Sequence, residues 1–107
     1  MSEIEELARK LQEFADARNW QQFHTPKNLA MAIAGEAGEL VAEFQWLTSE
    51  QSELKHLSEA ALEAIRLEMA DVFIYLIRLG TQLDIDLAQA VHDKIALNED
   101  RFGRSEL

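Results

Sequence analysis

Residues 58–83 read SEAALEAIRLEMADVFIYLIRLGTQL, and this stretch decides the class of fold. Its apolar residues recur at helical spacing, without the period-2 alternation that is typical of a strand. Ser58 followed by an acid is typical of a helix start, so we predict a helix from there to about Leu83. Glu68 takes a position in the apolar stripe of this helix, whose other members are Ala61, Ile65, Val72, Tyr75 and Leu79.

Three further helices are predicted around this stretch, and no segment favours a strand. Thr25-Pro26 is a strong start signal for the second helix. Asp86 and Gln89 form a pattern similar to a capping box that opens the fourth, and Gly103 is a plausible stop. The three predicted ranges are about residues 3–18, 26–46 or 47, and 86–101. Short connections favour antiparallel neighbours, so we predict an all-α, four-helix antiparallel bundle.

Acidic residues interrupt the apolar faces of two of these helices. On the second helix Glu36 lies in the apolar stripe and Glu39 lies close to the same face, whereas Glu68 and Asp71 repeat the pattern on the third. Carboxylates at inward positions are costly unless they are paired or bind a metal, and no equal set of basic residues shares these faces. We therefore predict a site for Mg²⁺, with Mn²⁺ as a second candidate.

Composition limits the other classes of function. The 107 residues predict a single domain, 1–107, and a chain this small buries too little surface to be very stable alone, which favours a homo-oligomer. A net charge of −10 argues against binding to a nucleic-acid polymer. The sequence has no cysteine, no secretory signal and no apolar run of transmembrane length, so we expect a soluble, cytoplasmic protein without a membrane partner.

Two acidic pairs, Glu36-x-x-Glu39 and Glu68-x-x-Asp71, are separated by 28 residues. The blocks around them are RNWQQFH (18–24), GEAGEL (35–40), FQW (44–46) and EMADVFIYL (68–76). With these blocks the sequence resembles the all-α nucleotide pyrophosphohydrolases, the MazG-like proteins, and among them the dCTP pyrophosphatase branch. The resemblance extends from about residue 5 to Phe102.

The resemblance implies a MazG-type fold completed by oligomerisation, commonly a tetramer made as a dimer of dimers. It also implies Mg²⁺-dependent hydrolysis of a nucleoside triphosphate to the monophosphate and pyrophosphate, for nucleotide-pool cleaning. The implied metal ligands are Glu36, Glu39, Glu68 and Asp71, and either Glu36 or Glu39 would activate water. The implied phosphate-binding residues are Lys94, Asn98 and Arg101, joined by Tyr75. The implied base and sugar contacts are Trp20, Phe23, His24, Asn28 and Trp46.

Three alternatives stay open at this point. The preferred substrate is dCTP or a modified dCTP, but the same chemistry on dUTP, dATP or a damaged nucleotide fits the same residues. A Glu-x-x-Glu pair is also common on solvated helix surfaces, and Tyr75, Phe23 and Trp46 are also suited to packing. Finally, the chain could be a non-enzymatic acidic helical interaction module, in which the inward acids contact another subunit.

Overall fold

The computed structural model describes residues 1–102, and within that range it contains helices and no strand, as predicted. None of these helices is both long enough and apolar enough to span a membrane. A short 3₁₀ turn, Leu54–His56, interrupts the loop before the third helix. The four α-helices are α1 (Glu3–Ala17), α2 (Pro26–Ala42), α3 (Glu59–Gln82) and α4 (Leu87–Phe102).

Side-chain caps start the helices where the sequence predicts them, because each cap oxygen accepts from an otherwise unpaired backbone N–H. Gln89 completes only half of the predicted capping box: its backbone N–H bonds Asp86 Oδ1, but its Nε2 donates forward to Asp93 at 2.9 Å. Gly103, the predicted stop, lies outside the described residues. The distances from the cap oxygens of Ser2, Thr25, Ser58 and Asp86 to those N–H groups are 3.1, 3.3, 3.1 and 3.0 Å.

The predicted end of the second helix is wrong by four or five residues, because α2 ends at Ala42. Residues 43–47 form turns, in which Phe44 N–H bonds Val41 O and Leu47 N–H bonds Phe44 O, both at 2.9 Å. These bonds join residues three apart, as in a 3₁₀ turn, so the α-helical pattern of bonds four apart ends here. The apolar spacing of Phe44 and Leu47 continues through the turns, so periodicity alone extended the helix too far.

Helix α3 is the centre of the molecule, and both α1 and α2 pack against it. His24, just before α2, bonds Arg78 near the end of α3, whereas Glu36 meets Glu68 earlier in α3. The two helices therefore run antiparallel, as predicted. The buried apolar side chains of the described chain are few, and they come from these three helices: Ala15, Leu29, Ile65 and Ile77.

Helix α4 has only slight contact with the other three helices. Val91, Ile95 and Leu97 on this helix are exposed, as are Met31 and Val41 on α2. The radius of gyration is 16.6 Å, against about 13 Å for a compact domain of this length. A single chain is therefore an open arrangement that leaves much apolar surface uncovered.

Candidate functional site

Three carboxylates converge between α2 and α3. Glu36 comes from α2, and Glu68 and Asp71 come from α3, where their spacing of three residues places them on one face. One carboxylate oxygen of each lies within 4.8 Å of the others. The antiparallel pairing of the helices thus brings together residues that are more than 30 positions apart in the sequence.

The protonation behaviour of the cluster reflects its crowding. Burial, followed by the charges of Asp71 and Glu39, raises the pKa of Glu36 above its ordinary value. Burial also raises the pKa of Glu68, and the neighbouring carboxylates add to the shift, Glu39 more than Asp71, Glu36 or Glu43. Glu68 Oε2 is buried and has no hydrogen-bond partner within the described chain. A buried acceptor without a partner is costly, so the cluster lacks a positive or donating group.

The donor set fits a hard divalent cation. Carboxylate oxygens without His or Cys are the ligands that Mg²⁺ and Mn²⁺ prefer, and the bare Glu68 Oε2 is available to such an ion. Of the four acids predicted as ligands, three converge. Glu39 is exposed and is not part of the converging group, although its charge acts on both Glu36 and Glu68. Its role as a metal ligand therefore stays a prediction.

Three rings predicted to contact the base or the phosphates lie side by side. The Trp20 and His24 ring centroids are 5.6 Å apart, and those of His24 and Tyr75 are 6.4 Å apart. Phe14 extends the row, with an edge-on contact to Trp20 at 5.4 Å. The turn before α2, with Phe14 of α1 and Tyr75 of α3, therefore presents a half-exposed aromatic wall that a nucleobase could stack on.

Three other predicted base contacts do not join this wall. Asn28 Nδ2 donates to Phe23 O at 3.1 Å, so its amide stabilises the turn that precedes α2. The side chain of Phe23 is 59% exposed, and that of Trp46, in the turns after α2, is 87% exposed. Within one chain these two rings contact no other ring among residues 1–101. Their roles stay predictions.

The predicted phosphate-binding face lies on α4, apart from both groups. Lys94, Asn98 and Arg101 share one face of that helix by their spacing, and Lys94 and Arg101 are exposed. Because α4 barely touches the other helices, a single chain does not join this face to the carboxylates. Its role in binding phosphate also stays a prediction.

Sequence reasoning missed Arg78. It stands in the apolar run VFIYLIRLG (72–80) and is 2% exposed, the only fully buried charged side chain among residues 1–102. Its guanidinium contacts His24 of the aromatic wall. A cation at an inward position of a helix is the same kind of signal as the inward acids, and it could have been found in the same way.

Fold and site together define an all-helical protein with a carboxylate cluster, suited to a divalent cation, between two antiparallel helices. A sequence model of the MazG-like family matches residues 31–106, which is most of the chain. The chain belongs to the MazG-like family, and the predicted fold class and family are confirmed.

Relatives of known name agree with this assignment. The chain is 39% identical over 99 residues to dCTP pyrophosphatase 1 of Bos taurus, covering 92% of this chain and 59% of that protein. The match to dCTP pyrophosphatase 1 of Homo sapiens is also 39% identical, over 92% of this chain and 58% of that protein. The chain thus spans about three fifths of the length of these relatives.

A solved structure agrees along nearly its whole length. The crystal structure of a pyrophosphatase from Archaeoglobus fulgidus superimposes with a TM-score of 0.88 at 39% identity, covering 97% of this chain and 95% of that one. The relatives therefore agree with the predicted class of enzyme, a nucleotide pyrophosphohydrolase.

Proposed function

We propose that this protein hydrolyses a nucleoside triphosphate between its α and β phosphates, giving the monophosphate and pyrophosphate. The observation that carries the proposal is the cluster of Glu36, Glu68 and Asp71, in which the buried Glu68 Oε2 has no hydrogen-bond partner among the described residues. The acids converge within one chain, so contact with another subunit is not needed to explain them. This argues against the alternative of a non-enzymatic interaction module.

The four acids are proposed to serve two roles. Glu36, Glu68 and Asp71, with Glu39 beside them, would hold Mg²⁺ or Mn²⁺, which when bound draws charge from the phosphates and acidifies water. Glu39, beside the cluster, or Glu36 within it, would orient the attacking water and accept its proton. The water oxygen forms a bond to the α-phosphorus, the bond from that phosphorus to the bridging oxygen breaks, and pyrophosphate leaves.

The base is proposed to be cytosine, as dCTP or a modified dCTP. The names of the mammalian relatives support this choice. The wall of Trp20, His24 and Tyr75 offers rings for stacking, which is worth about 1–3 kcal/mol for each base, and Tyr75 can alternatively donate to a phosphate. Phe23, Asn28 and Trp46 are proposed to complete the base and sugar contacts. Nucleotide-pool cleaning in the cytoplasm is the proposed role.

Oligomerisation is proposed to bring the phosphate-binding face to the cluster. Lys94, Asn98 and Arg101 lie on α4, which has little contact with its own chain, so α4 of one subunit can approach the carboxylates of another. Arginine offers a planar fork and lysine a point charge to a triphosphate. The exposed apolar residues of α2 and α4 supply the surface for a tetramer built as a dimer of dimers.

The test is hydrolysis of a panel of nucleoside triphosphates in Mg²⁺, with the monophosphate and pyrophosphate quantified. We expect dCTP to be cleaved with the highest kcat/KM. Glu68→Gln removes a carboxylate from the cluster and should lower kcat by about 100-fold, because even the hydrogen-bonding partners of metal ligands typically contribute about 10- to 100-fold. Glu63→Gln is the matched control, since Glu63 is exposed on the same helix and, within residues 1–102, pairs with Arg66 alone.

Two results would contradict the proposal. One is a panel in which no triphosphate yields pyrophosphate. The other is a Glu68→Gln variant as active as the Glu63→Gln control. A different preferred base with the same products would retain the reaction and replace only the substrate.

A further inference from the structure

Arg78 connects the aromatic wall to helix α1. Its Nε donates to His24 Nδ1 at 3.2 Å, and its Nη1 donates to Gln12 Oε1 at 2.8 Å. The third nitrogen, Nη2, is buried without a hydrogen-bond partner in the described chain. A buried guanidinium that is not fully hydrogen-bonded costs stability, so packing alone does not account for an arginine at this position.

The charge of Arg78 is balanced through an amide. Among residues 1–102 it forms no ion pair, but Gln12, whose Oε1 accepts from it, donates through Nε2 to Asp16 Oδ1 at 2.8 Å. Gln21 Nε2 donates to the same oxygen of Asp16. These bonds fix the direction of the Gln12 amide, with its oxygen toward the cation and its nitrogen toward the anion. They therefore hold the guanidinium in one place.

The contact between Arg78 and His24 determines where the imidazole proton lies. A guanidinium stays protonated and can only donate, so His24 Nδ1 must be the unprotonated nitrogen of the ring. In a neutral imidazole the proton then resides on Nε2, which becomes a donor. Within residues 1–102 Nε2 bonds to nothing and is not among the buried unpartnered atoms. It is therefore open to a ligand at the wall formed with Trp20 and Tyr75.

The electrostatics agree with this geometry. Burial, and after it the positive charge of Arg78, lowers the pKa of His24. The ring therefore remains neutral at physiological pH, with one donor and one acceptor nitrogen.

We propose that Arg78 is a positioning residue that fixes His24 as a neutral Nε2–H donor toward the base of the bound nucleotide. The inference rests on the proposed function, since it supposes that the wall receives a nucleobase. A fixed N–H donor selects bases that place an acceptor opposite His24 Nε2, such as O2 or N3 of cytosine. It disfavours bases that place an amino group, itself a donor, at that position. Arg78 does not itself touch the base in this arrangement; it acts through the imidazole.

The first test reads the tautomer directly in the full chain, without metal or nucleotide. Nitrogen-15 NMR of the histidine side chains distinguishes a protonated from an unprotonated ring nitrogen. We expect His24 to carry its proton on Nε2 alone. A proton on Nδ1, or an equal mixture of tautomers, would overturn the inference whether or not the protein hydrolyses nucleotides.

The second test is Arg78→Met, with Arg66→Met as the matched control, because Arg66 is an exposed arginine on the same helix. In Arg78→Met we expect a mixture of His24 tautomers. The KM for dCTP should be about 10-fold higher, because the base loses roughly one hydrogen bond, and kcat should stay within about twofold of wild type. Arg66→Met should change neither.

An unchanged KM in an active, folded Arg78→Met would refute the inference and leave the proposed function standing. If that variant does not fold, the wild-type tautomer decides. If no triphosphate is cleaved, the proposed function fails separately.

Discussion

At the scale of single residues, the structure places opposite charges at two inward positions of α3, one acidic and one basic. Glu68 meets other carboxylates and has a raised pKa, whereas Arg78 meets an imidazole and an amide. Each leaves one buried polar atom without a partner in the described chain. The two atoms lie at the two groups of side chains that the proposed reaction uses, the carboxylate cluster and the aromatic wall. A buried polar atom without a partner thus marks each of these two groups of side chains.

Metal binding should be coupled to pH through Glu36 and Glu68. Their native-state pKa values lie above the unfolded value of 4.5, so the native state binds more protons than the unfolded state in the interval between the two. The stability of the metal-free protein should therefore fall as the pH rises from about 4.5 through the raised pKa values. Mg²⁺ needs the deprotonated acids, so its stabilising effect should grow over the same interval.

Thermal unfolding with and without Mg²⁺ at several pH values measures this coupling. Free Mg²⁺ at ten times its Kd adds about 1.4 kcal/mol, or roughly 6 °C in Tm, where the acids are ionised, and less near pH 4.5. Glu36→Gln and Glu68→Gln should both reduce the Mg²⁺ effect, whereas Glu63→Gln should not. An Mg²⁺ effect independent of pH, or retained in both cluster variants, would contradict the metal site.

At the scale of the helices, local signals and long-range contacts differ in what a sequence reveals. The starts at Thr25-Pro26 and Ser58 are predictable because a cap and its N–H partner lie within three residues. The end of α2 is not, because apolar spacing continues through the turns that follow Ala42. The convergence of Glu36 with Glu68 is predictable from two interrupted stripes on neighbouring helices. The bond from Arg78 to His24 spans 54 residues, and no periodicity encodes it.

A glycine inside α2, Gly38, tests whether the surroundings of that helix leave room for a side chain. A Cβ added at Gly38 would meet nothing within 4 Å, whereas one at Gly80 in α3 would lie 3.2 Å from the backbone oxygen of Ile85. Gly38→Ala should therefore stabilise the chain by about 1 kcal/mol, the difference in helix propensity, and raise Tm by roughly 5 °C.

Gly80→Ala is the comparison. It gains the same helix propensity, but its new methyl group crowds the backbone oxygen of Ile85 in the turn before α4. Differential scanning calorimetry of both variants should give a clearly smaller gain, or a loss, at position 80. A Gly38→Ala protein that melts below wild type would contradict the open surroundings described for α2.

At the scale of the whole molecule, one chain exposes more surface than a monomer of its size should. Its accessible area is 8144 Å², whereas a folded monomer of 12.2 kDa exposes about 6,100 Å². The excess of about 2,000 Å² exceeds the roughly 800 Å² that each partner contributes to a standard interface. Two kinds of interface on each chain would account for it, which agrees with the proposed dimer of dimers.

Sedimentation and fluorescence test this assembly together. At micromolar concentration we expect a mass that is a multiple of 12.2 kDa, with Tm rising as the protein is concentrated. Trp46 is 87% exposed in one chain, so we expect its emission to shift to longer wavelength on dilution if an interface covers it. Trp46→Phe should remove that shift and leave the signal of Trp20. A 12.2 kDa species with a concentration-independent Tm would refute the oligomer.

The weak attachment of α4 has a consequence for the order in which the protein becomes rigid. An isolated helix of 16 residues is only marginally stable in water, because nucleating the first turn is costly. In a lone chain local unfolding of α4 should let its backbone amides exchange with deuterium long before those of α3. In the assembly both should exchange slowly. The last element to become protected would then be the one that carries Lys94 and Asn98, so that association of the subunits would be the step that makes the proposed phosphate-binding face rigid.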